Sequence, residues 1–211
     1  MGSLFERSGW LHCLFFTWLF MIFEEIQNGE IGFIPDWLSE GQANQYYQLF
    51  QKELPFEQGT ITIFGKTHPI PRLEAFFGIS NQVYSYSGKT LKTHPFTKEL
   101  TDIKTKIEEI TNEKFNCVLV NLYRDGRDSN GWHADNEPEL GKNPVIASVT
   151  LGAMRRFDLR HNSSKEKISI ELNHGSLLVM KGEMQHFWKH QIAKTTKVST
   201  PRINLTFRYI Y

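Results

Sequence analysis

His133 and Asp135 stand two residues apart at the end of a stretch that runs Asn121-Leu-Tyr-Arg-Asp-Gly-Arg-Asp-Ser-Asn-Gly-Trp-His-Ala-Asp135. In an extended backbone, side chains at i and i+2 project to the same side, so an imidazole and a carboxylate converge on one point. A second histidine would complete a facial triad. Two histidines and one carboxylate hold an Fe(II) ion and leave positions open for a cosubstrate and O2. Three histidines are candidates: His174, His186 and His190. His186 and His190 are four apart, a helical zinc-protease spacing, but Phe187 stands where the general-base Glu belongs. His174 opens the run His-Gly-Ser-Leu-Leu-Val-Met and reads as a structural turn histidine. His190 precedes Arg202 by a loop's length, which would let the chain return antiparallel beside it, and it is the favoured third ligand.

The strand Arg202-Ile-Asn-Leu-Thr-Phe-Arg208 alternates, with Arg202, Asn204, Thr206 and Arg208 on one face and Ile203, Leu205 and Phe207 on the other. An edge strand with one solvated face shows the same alternation. The strand ahead of the His/Asp loop favours a site instead. Its stripe Phe115, Cys117, Leu119 ends in Asn121 and Tyr123, an amide and a phenol just before the metal ligands. Two arginines, neutral donors and a tyrosine hydroxyl beside Fe(II) suit a small dicarboxylate, one end on the metal and the other gripped by a guanidinium fork. The cosubstrate so implied is 2-oxoglutarate.

The elements that must position these groups follow from periodicity. Ser39 and Gln42 form a capping box ahead of Ala43, Tyr46, Tyr47 and Phe50, predicting a helix that Pro55 ends. Gly59 to Lys66 alternates as a strand with a tip at Ile63-Phe64-Gly65, and Pro69 and Pro71 argue against regular structure after it. Phe96, Leu100, Ile103, Ile107 and Ile110 mark a second, amphipathic helix. From Lys114 the period becomes 2. Strands are predicted over Phe115–Arg124, Val145–Leu151, Arg156–Arg160, Lys167–Leu172, Ser176–Met180, Phe187–Ile192 and Arg202–Tyr211. So many short strands in series give a mainly β fold with flanking helices, a sandwich or jelly roll.

A chain of 211 residues fits one domain with a proper core. Its net charge of +1 exerts no global pull on nucleic acid, so any basic surface is local. Basic residues do cluster: Arg155, Arg156, Arg160, Lys165 and Lys167 around one hairpin, and Lys189, Lys194 and Lys197 before the last strand. They read either as solvated faces or as phosphate contacts. Cys13 and Cys117 offer no disulfide framework or cysteine zinc site, which points to a reducing, intracellular setting, cytoplasm or nucleus. The apolar run from Trp10 to Phe23 is shorter than the roughly 20 residues that span a bilayer. It lacks a signal-peptide cleavage pattern, and Met21 offers an alternative start. Residues 1–28 are therefore read as an apolar N-terminal extension and 29–211 as the domain, with no membrane association expected.

Asn-x-Tyr-x-Asp-Gly from Asn121, His-x-Asp at His133, Ile-Ala-Ser-Val-Thr-Leu-Gly from Ile146, His-Gly-Ser-Leu-Leu-Val-Met from His174 and Arg-x-Asn-Leu-Thr-Phe-Arg from Arg202 together resemble the AlkB family of Fe(II)/2-oxoglutarate dioxygenases. The similarity runs from about Ile61 to Tyr211, and is greatest to the members that repair alkylated duplex DNA. The resemblance implies a double-stranded β-helix core over about 115–211 and an N-terminal α/β nucleotide-recognition lid over about 55–95. It implies Fe(II) on His133, Asp135 and His190, with O2 as the other cosubstrate. 2-Oxoglutarate would lie among Asn121, Tyr123, Arg202, Asn204, Thr206 and Arg208, its distal carboxylate on Arg202 and its metal-end carboxylate near Arg208. Phe64 resembles a wedge that enters the base stack, although a bulky residue at a hairpin tip is also an ordinary core phenylalanine. Tyr84, Tyr86 and Ser87 resemble lid residues that hold an extruded base, and Glu137 an acceptor for its exocyclic amine. The implied reaction is oxidative demethylation of 1-methyladenine or 3-methylcytosine in DNA by a monomer, with succinate, CO2 and formaldehyde released. RNA or protein substrates, or non-catalytic nucleic-acid binding, are the alternatives.

Overall fold

A computed structural model describes residues 21–63, 65–79, 85–86, 89–90 and 92–211. Phe64, Tyr84 and Ser87 lie outside the described residues, as does the apolar run up to residue 20. In chain order the strands and helices are β1 (Glu24–Ile26), β2 (Gly29–Ile34), α1 (Glu40–Glu53), β3 (Glu57–Ile63), β4 (Lys66–Gly78), β5 (Ser85–Tyr86), β6 (Lys89–Thr90), β7 (Thr93–His94) and α2 (Lys98–Thr111). Then come β8 (Cys117–Tyr123), β9 (Asn130–His133), β10 (Ile146–Gly152), β11 (Arg155–His161), β12 (Lys167–Leu172), β13 (Leu177–Lys181), α3 (Met184–Phe187), β14 (Trp188–Ile192) and β15 (Arg202–Arg208).

Among the described residues the strands form two facing sheets and a separate two-stranded ribbon, β5-β6. The larger runs β1-β2-β13-β10-β15-β8-β4-β3, with β7 added parallel to β4; the smaller runs β12-β11-β14-β9. This is the jelly roll that the serial short strands predict. α1 and α2 cover the outer face of the larger sheet, where Ala43, Phe50, Leu100, Ile103 and Ile107 pack on Val118, Val120, Leu205 and Phe207. Leu119, Tyr123, Phe157, Leu159, Ile170 and Met180 fill the space between the sheets. Phe115 precedes its strand and joins the helix-side core instead of the inner stripe.

Local chemistry explains both helices. Ser39 accepts from the Gln42 backbone N–H, and the Gln42 side chain accepts from Ser39 N. Thr97 caps α2, which ends on Asn112 at φ 55, a conformation asparagine tolerates. Glu108 then ties the helix end to the next segment, accepting from Lys104 at 3.1 Å, Lys114 at 3.3 Å and the Phe115 N–H at 3.0 Å. Burial raises this carboxyl, but its three donors outweigh burial and hold it below its ordinary value. A depressed folded pKa gives stability that is present above the ordinary glutamate range and disappears as pH falls through the folded value. Glu108→Gln is therefore expected to lose about 1 kcal/mol at pH 7 and almost nothing in strong acid, as urea unfolding at the two pH values would read.

Two expectations need correction, and the edge-strand alternative for β15 falls away. Pro69 and Pro71 do not interrupt regular structure; both lie within β4. Proline lacks a ladder donor and is accommodated at edges and bulges. Here the β3–β4 register shifts between Gln58 and Thr60, and the Gln58 side-chain amide donates to the carbonyls of Ile70 and Arg72. β15 is no edge strand. It lies between β10 and β8, and all seven of its residues are buried. Second, the sheet begins at Glu24, inside the stretch read as an extension: β1 and β2 form a hairpin about Asn28 (φ 57), and β2 pairs with β13.

Candidate metal and cosubstrate site

The two sheets divide the chemistry between them. The smaller sheet carries the imidazoles, with His133 at the end of β9 directly opposite His190 on β14. His190 thus pairs with β9 and β11, and not with β15 as the chain-return argument expected; β14 and β15 belong to different sheets. The larger sheet supplies the polar groups. Cross-strand register sets Tyr123 opposite Arg202, Asn121 opposite Asn204 and Cys117 opposite Arg208. Asn121, Tyr123, Asn204, Thr206 and Arg208 line one cavity together with His133, Asp135 and His190.

The ligand atoms of His133, Asp135 and His190 all lie within 4.8 Å of one another. Asp135 is 2% exposed and divides its oxygens. Oδ2 accepts from Arg208 Nη2 at 2.6 Å and Nε at 3.1 Å. Oδ1 is buried with no hydrogen-bond partner among the described residues, and faces Nε2 of His133 at 3.6 Å and Nε2 of His190 at 4.0 Å. Those separations exceed a hydrogen bond but suit one ion with bonds of about 2.1 Å.

Protonation favours the same use. Burial lowers the pKa of His133 against the pull of Asp135, and lowers His190 to about 3, so both imidazoles are neutral ligands at neutral pH. Burial raises Asp135, but the Arg208 charge and then the two imidazoles overcome it and keep this carboxylate ionised. Nδ1 of His133 lies 2.7 Å from the Gly131 carbonyl, which fixes the N–H on Nδ1 and leaves the Nε2 lone pair as an acceptor; it takes a hydrogen bond from Asn130 Nδ2 at 3.1 Å, which a metal ion would replace.

The cosubstrate side fits an anion. Arg202 is 1% exposed; its Nη2 donates to Thr150 Oγ1 at 2.8 Å and Asn204 Oδ1 at 2.5 Å. Its Nε and Nη1 are buried without a hydrogen-bond partner among the described residues, and no carboxylate there pairs with it. Burial, followed by the nearby charge of Arg155, pushes its pKa down to about 10. A buried cation with two open donors calls for an anionic ligand.

A model of the 2OG-Fe(II) oxygenase superfamily matches residues 30–208. DNA oxidative demethylase ALKBH2 of Homo sapiens is 37% identical over 182 residues, covering 81% of this chain and 70% of that protein. The chain belongs to the AlkB family of 2OG-Fe(II) oxygenases. Alpha-ketoglutarate-dependent dioxygenase alkB homolog 3 of Mus musculus is 37% identical over 187 residues, 84% of this chain and 65% of that one. The chain spans 66% of the Bos taurus ALKBH2 sequence, again at 37% identity. The solved structure of OsALKBH1 shares the fold, with a TM-score of 0.56 at 18% identity over 89% of this chain and all of that one.

Family membership brings Fe(II), 2-oxoglutarate and O2 as the reactants this site is built for. Other residues that build it gain no role from the sequence: Gln185 and Arg72 lie in no motif, and Ser148 lies within the run from Ile146. Gln185 Oε1 accepts from the Asp135 N–H at 2.9 Å, and Ser148 Oγ donates to Asn204 Oδ1. Arg72 Nε donates to Asn121 Oδ1 at 2.8 Å, joining β4 to the cosubstrate side. His174 is structural, its Nδ1 accepting from the Gly152 N–H, and His186 is an exposed residue of α3. Glu137 follows Asp135 by two residues; its Oε2 is buried with no hydrogen-bond partner among the described residues. Burial and then the Asp135 charge raise its pKa. Of the lid residues, Tyr86 is placed by its backbone in the β5–β6 ribbon.

Proposed function

We propose that this chain is an oxidative demethylase of N-alkylated bases in DNA, of the 1-methyladenine and 3-methylcytosine type. The observation that carries the reading is the pairing of an open triad with Arg202, a buried cation that has no carboxylate partner among the described residues. His133, Asp135 and His190 would hold Fe(II). Arg202, Tyr123 and Asn204 would grip the distal carboxylate of 2-oxoglutarate, with Asn121, Thr206 and Arg208 completing its pocket. With Fe(II) and 2-oxoglutarate bound, O2 would be the oxidant that turns an N-methyl group into formaldehyde, its other two electrons coming from 2-oxoglutarate as that becomes succinate and CO2. The ALKBH2 relatives are DNA oxidative demethylases, which supports DNA as substrate.

The chain's own task is to hold the base. We assign 29–211, together with β1 at Glu24–Ile26, to the catalytic domain and about 55–95 to its lid, with Phe64 as the wedge and Tyr84, Tyr86 and Ser87 around the extruded base. Glu137 Oε2, buried and unpartnered, would accept from the exocyclic amine. For the phosphates, Arg160 stands between Lys167 and Lys189 in cross-strand register and stacks over Trp132 at 4.7 Å. Like charges directly opposite one another are destabilising, and a phosphate chain would relieve this row. We place a monomer inside the cell; among the described residues no helix is long and apolar enough to cross a membrane.

The test supplies Fe(II), 2-oxoglutarate and oligonucleotides carrying 1-methyladenine as duplex DNA, single-stranded DNA or RNA. Succinate and formaldehyde should appear with the DNA arms and vanish in His190→Ala. Phe64→Ala should lower the duplex rate alone. Absence of succinate and formaldehyde in every arm would sink the proposal, and release from RNA alone would move the substrate.

A further inference from the structure

Arg155 belongs by sequence to a run of surface cations, yet it is 2% exposed. Burial lowers its pKa, and among the described residues no carboxylate pairs with it. Its donors go to backbone carbonyls of two separate loops. Nη1 donates to Asp125 O at 3.2 Å, while Nη2 donates to Asp128 O at 2.9 Å and to Ala193 O at 2.7 Å. Asp125 and Asp128 lie in the loop from β8 to β9, which delivers His133. Ala193 follows β14, which carries His190, and leads to β15 with Arg202. The guanidinium carbon also lies 5.7 Å from the centre of the Tyr123 ring, whose other close cation is Arg202 at 5.2 Å. One side chain therefore touches the ends of strands that carry both imidazoles and the cosubstrate tyrosine.

The two loops meet independently of Arg155. Gly126 N–H donates to Val198 O at 2.8 Å, and Thr195 N–H donates to Gly126 O at 2.8 Å. A Cβ on Gly126 would stand 2.1 Å from Thr195 O, so the approach requires glycine. Burying an arginine is unfavourable unless its donors are met. A planar fork meets three carbonyls in two loops, whereas a lysine ammonium is a single point charge. A methionine would fill the space and bind neither loop.

We propose that Arg155 is a positioning residue, whose guanidinium holds the loop before His133 and the loop after His190 at the separation the metal site needs. This rests on the reading that His133 and His190 bind the metal. Outer partners of metal ligands typically change metal affinity about 10- to 100-fold when removed. Arg155→Met should weaken Mn(II) binding within that range, measured by paramagnetic resonance on the full chain and normalised to folded protein. Arg155→Lys should be intermediate. Gly126→Ala, which parts the same loops and leaves Arg155 in place, should weaken Mn(II) as well. All three should also raise the 2-oxoglutarate KM more than they lower kcat, since Tyr123 and Arg202 lie at the same loops.

A purely structural Arg155 predicts a lower urea midpoint with wild-type Mn(II) affinity in the folded protein, and that result overturns the proposal. Should Arg155→Met fail to fold, Arg155→Lys decides: Mn(II) affinity equal to wild type overturns the proposal, and weakened affinity with native circular dichroism supports it. The wild type and His133→Ala serve as references. A wild type that binds no Mn(II), or a His133→Ala variant that binds it equally well, overturns the metal reading itself and this inference with it.

Discussion

Arg208→Met is expected to lower the unfolding free energy by about 3–5 kcal/mol at pH 7 and to weaken Mn(II) binding by about 10- to 100-fold. Asp135 and Arg208 are 2% and 3% exposed, and they meet through two hydrogen bonds at 2.6 Å and 3.1 Å. Removing the guanidinium leaves a buried carboxylate facing two neutral imidazoles. The pH dependence carries a definite sign. Asp135 has a folded pKa below its ordinary value, so its contribution is complete above the ordinary aspartate range and is lost only as pH falls through the folded value. The gap between wild type and variant should persist from neutral to mildly acidic pH and close in strong acid, as a urea series across pH would read. Excess Mn(II) puts a cation on Oδ1 and should restore part of the lost stability by mass action. A variant as stable as wild type at pH 7 would mean that this ion pair does not hold the carboxylate.

What could be read from the chain, and what could not, follows the range of the interactions. Period-2 alternation in β15 sorted Arg202, Asn204, Thr206 and Arg208 from Ile203, Leu205 and Phe207, because a strand's two faces are a local property. Register is not local. Nothing near Asn121 says that Asn204 stands opposite it, or that His190 stands opposite His133. His190 was favoured for a return of the chain beside β15 that the two-sheet topology rules out, and the family pattern selected it for a better reason. Arg72 and Gln185 build the site from 49 and 50 residues away from their partners with no motif of their own, and Thr150, though inside the run from Ile146, meets Arg202 from 52 residues away. Arg155 was read as a surface cation because arginine is mostly exposed, and only tertiary packing makes it the exception. One further signal is legible: the dipeptide Asn28-Gly29 favours a hairpin, and the chain turns at Gln27-Asn28 with Ile26 opposite Gly29, which puts β1 inside the supposed extension.

Arg202→Met should separate ligand binding from folding, because the two arginines at the ends of β15 use their charge differently. Arg208 is matched inside the protein by Asp135, whereas Arg202 meets only neutral groups, the oxygens of Thr150 and Asn204 and the Tyr123 side chain, and its Nε and Nη1 are unsatisfied among the described residues. A buried cation in that condition disfavours folding, and its depressed pKa, about 10, records the same strain from burial and from Arg155. A dicarboxylate ligand would supply the missing charge and acceptors. Truncating one partner of a buried, hydrogen-bonded charge pair removes about 2–5 kcal/mol of binding, so the 2-oxoglutarate KM should rise at least about 30-fold. The ligand-free protein should lose no stability and should gain some, since an apolar side chain replaces an unpaired buried ion. Mn(II) affinity should stay within a few-fold of wild type, roughly a kcal/mol or less, because Arg202 touches none of the three triad residues. Urea unfolding, Mn(II) titration and the 2-oxoglutarate dependence of succinate release read the three quantities separately. If stability and Mn(II) affinity fell together while KM held, Arg202 would be a framework residue and the distal carboxylate would have to be sought elsewhere.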